Sequence, residues 1–220
     1  MRRFLHDNGL SVALFTLFAV SIVGQALTGW RAYAGELQSH ALPEVGFAAY
    51  LKTGHFISAV FENWESEFLQ MAVYVLLTVF LVQKGSSESK DPDKDNPEDE
   101  LPHRRRDDPD APWPVQRGGL ILRLYSHSLS IVLVSLFVVS FWLHLAGSTR
   151  RMNEEAARHQ QPPQTVSETL VDPEFWYESL QNWQSEFLSM AMLIVLGIFL
   201  RERGSPESKP VAAPHAMTGH

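Results

Sequence analysis

The chain of 220 residues contains no cysteine, which excludes disulfide bonds and thiolate chemistry. It also lacks an Asn-X-Ser/Thr sequon, a glycine-rich phosphate loop, an HExxH helix and a nucleophile elbow. Without such motifs, we expect no enzyme activity and no bound cofactor. Acidic residues outnumber basic ones by 25 to 18, and the net charge of -7 argues against a nucleic acid partner.

Charge is also missing from long stretches of the chain, and these stretches predict membrane-spanning helices. Residues 10–30 are 21 uncharged positions, or about 31 Å of helix, which matches a hydrocarbon core of about 30 Å. A second uncharged stretch lies between Arg123 and Arg150, and shorter apolar runs cover 68–83 and 187–200. The first run is longer than the apolar region of a signal peptide, so we expect this helix to be retained.

An internal repeat relates the two halves of the chain. NWESEFLQMA at 63–72 returns as NWQSEFLSMA at 182–191, and 16 of the 28 positions from 63 to 90 are identical 119 residues later. Both copies enter the membrane from the same side, so they are parallel and related by a pseudo-twofold axis along the membrane normal. We therefore predict an all-α polytopic membrane protein, a bundle of four transmembrane helices built as two parallel two-helix repeats.

The predicted domain boundaries follow from this repeat. In each copy, we expect the second helix to begin near 54 or 173 and to end at Gly85 or Gly204. The connection between the copies is charged and rich in proline, which is typical of a disordered linker. The chain then divides into repeat 1 (1–90, spans at about 10–30 and 64–83), a cytoplasmic disordered linker (91–118), repeat 2 (119–209, spans at about 126–147 and 183–201) and a disordered tail (210–220).

Basic residues are distributed unevenly between the two sides of the predicted membrane. If both termini and the linker are cytoplasmic, 13 of the 18 Lys and Arg residues lie inside and 5 lie outside. Because basic segments stay on the cytoplasmic side, we predict a multi-pass protein of the cytoplasmic membrane with both termini in the cytoplasm. The lipid bilayer is its expected partner, and a homo-oligomer or a second membrane protein is also expected because four helices make a thin bundle.

The helices that contain the two shorter apolar runs must include polar residues within the membrane. Each run is too short to span alone, so its helix must use preceding residues, which places Glu67 and Glu186 at the outer edge of the hydrocarbon. Helical spacing puts these carboxylates on one polar stripe that continues to Gln70. Gln25 and His144 lie at a similar depth on the first helices. The predicted polar membrane site consists of Glu67, Glu186, Asn63, Asn182, Ser66, Ser185, Gln25 and His144.

Several functions remain open for this stripe. Polar side chains hold membrane helices together through hydrogen bonds, so a structural or interaction role is the first interpretation. The alternative is a small transporter, channel or sensor, because two close carboxylates share a proton or bind a hard cation, and His144 would add a transition-metal ligand. An intramembrane enzyme is disfavoured, since no catalytic motif accompanies the stripe.

A second set of residues consists of candidate metal ligands. Glu36 and His40 are spaced i, i+4 just outside the first helix, and Glu155 and His159 occupy the equivalent positions in the second copy. Four such ligands hold Zn²⁺ if they converge. The same residues also suit a solvated helix face, so the sequence is compatible both with a metal site and with a solvated face.

Four segments of the first copy are distinctive: NGLSVALF at 8–15, VGQALTGWRAY at 23–33, GHFISAVFENWESEFLQM at 54–71 and FLVQKGSSESK at 80–90. In these segments the chain resembles an uncharacterised family of bacterial integral membrane proteins, catalogued as a domain of unknown function. The most specific piece is NWxSEFLQM, from which the second copy departs at Ser189. The resemblance implies a bacterial cytoplasmic membrane and no established activity, so no functional residue is carried over from it.

Overall fold

The computed structural model describes residues 2–219, so Met1 of the predicted repeat 1 and His220 of the predicted tail lie outside the described residues. Within 2–219 the chain forms helices and turns and no β-strand, which confirms the all-α prediction. The α-helices in this range are α1 (Arg2–Ser39), α2 (Phe47–Tyr50), α3 (Gly54–Phe80), α4 (Trp113–Arg117), α5 (Gly119–Ser126), α6 (Ser128–Arg158), α7 (Val166–Val171) and α8 (Pro173–Phe199).

Three of the described helices, α1, α6 and α8, are long and apolar enough to cross a membrane. The sequence predicts four such helices, and the one that falls short is α3. It has 27 residues, as does α8. However, its first half carries Glu62, Glu65 and Glu67, and it ends before the apolar residues Leu81 and Val82. The apolar part of α3 is therefore shorter than a bilayer core requires.

The long helices α3 and α8 begin where the sequence indicates, at Gly54 and Pro173. Proline suits the first position of a helix because its fixed φ is already helical and its missing N–H would have no partner there. The predicted helix ends are wrong, because α3 and α8 stop at Phe80 and Phe199 rather than at the glycines. Gly85 and Gly204 instead form the following turns, with φ of 90° and 87°, a conformation that glycine adopts without steric cost.

The C-terminal ends of α1 and α6 are alike. Ala41 and Gln160, which are 119 residues apart, both have a left-handed backbone with φ of 54° and 55°. In both places, the amide of the next residue donates to a carbonyl five residues earlier, at 2.9 and 2.8 Å. This is the Schellman arrangement, which satisfies the last carbonyls of a helix and reverses the chain.

A helix break also recurs at the 119-residue spacing. Asn8 interrupts α1 with φ of -127° and ψ of 18°. His127 separates α5 from α6 with φ of -118° and ψ of 10°. Neither pair of angles is helical, so a short helical segment precedes the long apolar helix in each half of the chain.

The chain divides into two compact units. Unit 1 comprises Met1–Phe61 and Leu143–Asp172, and unit 2 comprises Glu62–Trp142 and Pro173–His220. The buried core of unit 1 centres on Tyr33, Leu37 and Tyr50. The partly buried residues packed against this core are Trp30, Leu42, Val45, Leu51 and Phe56. Trp30 is fixed there by its indole N–H, which donates to the carbonyl of Val45 at 2.7 Å.

In unit 2, the C-terminal segment packs on the turn that follows α3. The side chain of Lys209 is buried, with 1% of the residue exposed. Its Nζ donates to the carbonyl oxygens of Gly85 at 2.6 Å and His215 at 2.9 Å. The amide of Gly85 in turn donates to Oγ1 of Thr218 at 2.8 Å. The disorder of the linker and tail stays a prediction.

Candidate functional site

Within unit 2, α3 and α8 are joined by a polar contact. The Nε2 of Gln70 donates to the backbone carbonyl of Glu186 at 2.8 Å and to Oγ of Ser189 at 3.4 Å. Gln70 is only 8% exposed, so its amide depends on protein partners. Gln70 and Ser189 are 119 residues apart, and the contact therefore joins equivalent positions of the predicted copies.

A cluster of carboxylates, amide and indole lies nearer the N-terminal ends of the same two helices. Glu65 has none of its surface exposed, and its Oε1 accepts from Nε1 of Trp183 at 3.1 Å. Oε1 of Glu62 accepts from Nδ2 of Asn182 at 2.5 Å. The carboxylate oxygens of Glu62 and Glu178 approach within 4.8 Å of one another. Hydrogen bonds to carboxylates are among the stronger ones, so these contacts fix the pairing of α3 with α8.

The arrangement of this cluster suits cation binding and proton exchange. Two carboxylates at such a separation repel each other when both are ionised, and a proton or a hard cation relieves that repulsion. The amide of Asn182 donates to the carboxylate of Glu62, and the indole of Trp183 donates to that of Glu65. Each donor partly neutralises the negative charge of the carboxylate that it contacts.

The predicted stripe is brought together only in part. On α3, Asn63 and Glu67 are exposed, whereas Ser66 is buried and donates through Oγ to the Asn63 carbonyl at 2.8 Å. On α8, Oγ of Ser185 donates in the same way to the carbonyl of Asn182 at 2.8 Å. Both serines thus bond within their own helices rather than across to the neighbouring one.

The other predicted members of the stripe lie in different surroundings. Glu186 is half-buried and receives the Gln70 amide on its backbone carbonyl rather than on its carboxylate. Gln25 is half-buried and His144 fully buried, and both belong to unit 1. Unit 2 therefore holds the six residues of the site that come from the second helices, and unit 1 holds the two that come from the first helices.

Three carboxylates of this cluster, Glu62, Glu65 and Glu178, are absent from the site that the sequence predicts. Glu62 and Glu65 lie one position away from the predicted stripe on α3, and Glu178 lies one turn before Asn182 on α8. The i, i+3 spacing of Glu62 and Glu65 was a usable signal, because such residues share a helix face.

Unit 1 contains a separate ionic and aromatic cluster beyond the apolar part of α1. Nη1 of Arg158 donates to Oε1 of Glu36 at 2.6 Å, and its Nη2 donates to the hydroxyl of Tyr33 at 2.8 Å. The guanidinium carbon also lies 5.4 Å from the centre of the Tyr33 ring, within the range of a cation–π contact. The cluster joins the last turn of α6 to that of α1.

His55 lies against the same aromatic rings. Its ring centre is 5.2 Å from that of Tyr33 and 5.8 Å from that of Tyr50, and Nδ1 is 3.3 Å from the Tyr50 hydroxyl. Burial disfavours the charged imidazolium and lowers the pKa of His55 below its ordinary value. Burial also raises the pKa of Tyr50, with a smaller contribution from Tyr33. Both groups therefore favour their neutral forms.

The four candidate metal ligands are not gathered around one ion. Glu36 is paired with Arg158, and Nδ1 of His40 lies 3.0 Å from the backbone carbonyl of Glu36. Glu155 and His159 are exposed. Across residues 2–219, these four side chains do not form a group of three or more with ligand atoms close enough to share a metal.

Comparisons with known proteins give one positive result. A family model described as Domain of unknown function (DUF6766) matches residues 1–220. No curated protein and no solved structure matches the chain.

Proposed function

Because the chain belongs to the family of the domain of unknown function DUF6766, we propose that it is a multi-pass protein of the bacterial cytoplasmic membrane with a structural or interaction role. The contact between α3 and α8 carries this proposal. Gln70, Glu62 and Glu65 on α3 each bond to a group on α8, at 2.5 to 3.1 Å in their closest contacts. In an apolar environment, hydrogen bonds between polar side chains of neighbouring helices hold the helices together.

We include α3 as a fourth membrane span in this proposal. Leu81 and Val82 extend its apolar part beyond the helix end, and the pairing of Glu62 and Glu65 with α8 reduces the cost of carboxylates at the membrane edge. The local features that recur every 119 residues support two duplicated, parallel two-helix copies. The excess of basic residues in the linker and termini supports a cytoplasmic position for both ends.

The structural role is tested by separating fold from carboxylate chemistry. The variant Glu67→Gln with Glu186→Gln removes two charges but leaves the Gln70 contacts in place. We expect this double variant to be recovered from detergent as folded protein with unchanged thermal stability. The matched variant Gln70→Leu with Ser189→Ala removes the hydrogen bonds that the Gln70 side chain makes to α8. We expect this variant to unfold at a lower temperature. Equal loss of folded protein in both variants contradicts the proposal that the Gln70 contacts hold α3 and α8 together.

A second candidate function is a small transporter, channel or sensor with a proton, cation or small polar ligand between Glu67 and Glu186. One observation favours it: the bond from Gln70 to the Glu186 backbone pairs α3 with α8, which puts the carboxylates of Glu67 and Glu186 on neighbouring helices, where two negative charges repel each other. A proton or cation relieves such repulsion. In sealed vesicles containing a pH-sensitive dye, this function requires a proton or cation flux that the double Gln variant abolishes without loss of stability. Flux that survives the double variant excludes this site.

A further inference from the structure

The helix α5 is a separate element that immediately precedes the apolar helix α6. His127 breaks the chain between them with φ of -118° and ψ of 10°, so the axis of α5 is free to differ from that of α6. The same break occurs at Asn8, 119 residues earlier, before the apolar part of α1. A break placed just ahead of a membrane span allows the preceding segment to lie along the bilayer surface.

The position of α5 along the chain puts it at the level of the lipid headgroups. The first 20 residues of α6, from Ser128 to Gly147, rise about 30 Å and fill the hydrocarbon core by themselves. This count rests on the membrane location proposed above. The segment that precedes Ser128 therefore emerges from the core where polar headgroups meet water.

The surface of this segment combines large apolar side chains with unpaired arginines. Trp113 is 63% exposed, Leu120 75% and Leu124 62%. Arg117 and Arg123 are exposed and form no ion pair with any described residue. The nearby Arg105, by contrast, is held by Glu100, with Nε 3.1 Å from Oε2. The two unpaired guanidiniums are thus available for an external anion.

We propose that the segment from Trp113 to Tyr125 lies in the headgroup region of the bilayer and that Arg117 and Arg123 bind the phosphates of anionic lipids. Tryptophan and tyrosine favour this region because one part of each ring system is apolar and another part forms hydrogen bonds. Arginine binds phosphate through its planar fork of donors. Leu120 and Leu124, at i and i+4, share the helix face that enters the acyl boundary.

The absence of cysteine allows the depth of single positions to be measured on the full chain. Leu120→Cys, Val138→Cys and Ser167→Cys are each labelled with an environment-sensitive fluorophore in vesicles of phosphatidylcholine, with or without phosphatidylglycerol. Val138 marks the middle of the α6 span, and Ser167 is exposed on α7. Quenchers confined to water or to the acyl chains report the depth of each label. The Leu120 measurement is repeated with Arg117→Gln and Arg123→Gln.

We expect the Leu120 label to be shallower than the Val138 label and deeper than the Ser167 label. Phosphatidylglycerol should deepen it, and the two Arg substitutions should remove that dependence. A Leu120 label as aqueous as that at Ser167, or as deep as that at Val138, overturns the interfacial position, and independence of phosphatidylglycerol overturns phosphate binding. A Val138 label in water contradicts the membrane location itself, which separates that failure from failure of the interfacial proposal.

Discussion

Gln70 and Ser189, which lie 119 residues apart at equivalent positions of the predicted copies, meet side chain to side chain with Nε2 3.4 Å from Oγ. A contact between equivalent residues is expected beside the proposed pseudo-twofold axis, because only positions next to such an axis lie close to their counterparts. The two residues are not identical, so the contact is asymmetric: a long amide on α3 reaches a short hydroxyl on α8. The amide is long enough to reach the Glu186 backbone as well.

Replacing Gln70 with Leu should lower the free energy of unfolding in detergent by about 0.5–1.5 kcal/mol, the usual range for one hydrogen bond between membrane helices. The change keeps the side-chain volume but removes the donor. Gln184→Leu is the matched control, because the Gln184 amide bonds only within its own helix, to the carbonyl of Gln181 at 3.2 Å. Equal effects of the two variants on chemical denaturation contradict a special role for Gln70.

Replacing Glu65 with Leu should lower the free energy of unfolding by about 1–3 kcal/mol, because it leaves the indole N–H of the half-buried Trp183 without this acceptor. Glu65→Gln keeps a carbonyl oxygen at nearly the same place, so we expect it to retain most of the stability. Denaturant titration followed by circular dichroism measures both variants. A Gln variant as unstable as the Leu variant indicates that charge, rather than the hydrogen bond, holds Glu65.

The stability of unit 1 should fall as the pH falls, because burial lowers the pKa of His55. The unfolded chain takes up a proton on this side chain at about pH 6.5, and the folded chain does so only at lower pH. Between these values the unfolded state binds more protons, so unfolding becomes easier as pH decreases. The contribution of His55 is full above about pH 6.5 and disappears as the pH falls through the folded-state pKa.

His55→Leu should reduce the slope of melting temperature against pH in this range. Tyr50→Phe is the control, since it removes only the hydroxyl and keeps the ring that covers the imidazole. We expect the slope to persist in the Phe variant. An unchanged slope in His55→Leu shows that another group causes the pH dependence.

Replacing Lys209 with Met should release the C-terminal segment from the turn after α3. The ammonium is the shared donor for carbonyls that include those of Gly85, His215 and Met217, and a thioether cannot replace it. We expect faster hydrogen exchange at the amides of Gly85 and Gly219, both of which are bonded across this contact. Lys94→Met is the control, because Lys94 has a side chain that is 69% exposed. Unchanged protection in the Lys209 variant contradicts the docking.

Substituting glycine at Ala41 and Gln160 should stabilise the protein by about 0.5–1 kcal/mol at each position. Both residues have positive φ, and a side chain in this conformation costs about 1–2 kcal/mol. Glycine removes most of that strain at the C-terminal end of a helix but increases the entropy of the unfolded chain. Ala48→Gly, within α2, is the control and should destabilise. Calorimetry of the three variants distinguishes a local effect at each site from a general effect of glycine.

Local signals predicted the fold better than the contacts between helices. The start of α8 was predicted correctly from Pro173, because the preference of proline for the first helical turn is intrinsic to the residue. The end of α3 predicted from Gly85 was wrong, because a glycine with positive φ suits any tight turn, including one that follows the helix. The predicted polar stripe contains Asn63 but not the buried Glu65, because a small rotation of the helix decides which of two neighbouring positions faces α8. The bond from Arg158 to Tyr33 joins residues 125 apart, a separation at which no local pattern gives a signal.

The number and direction of the membrane spans are tested most directly by cysteine accessibility in intact cells. Single cysteines at the exposed positions Ala48, Asp95 and Ser167 lie after α1, α3 and α6 respectively. With four spans and cytoplasmic ends, a membrane-impermeant maleimide labels positions 48 and 167 from outside, and position 95 only after the membrane is opened. If α3 does not cross, positions 48 and 95 are labelled together while position 167 differs, and that result contradicts the two parallel membrane-spanning copies.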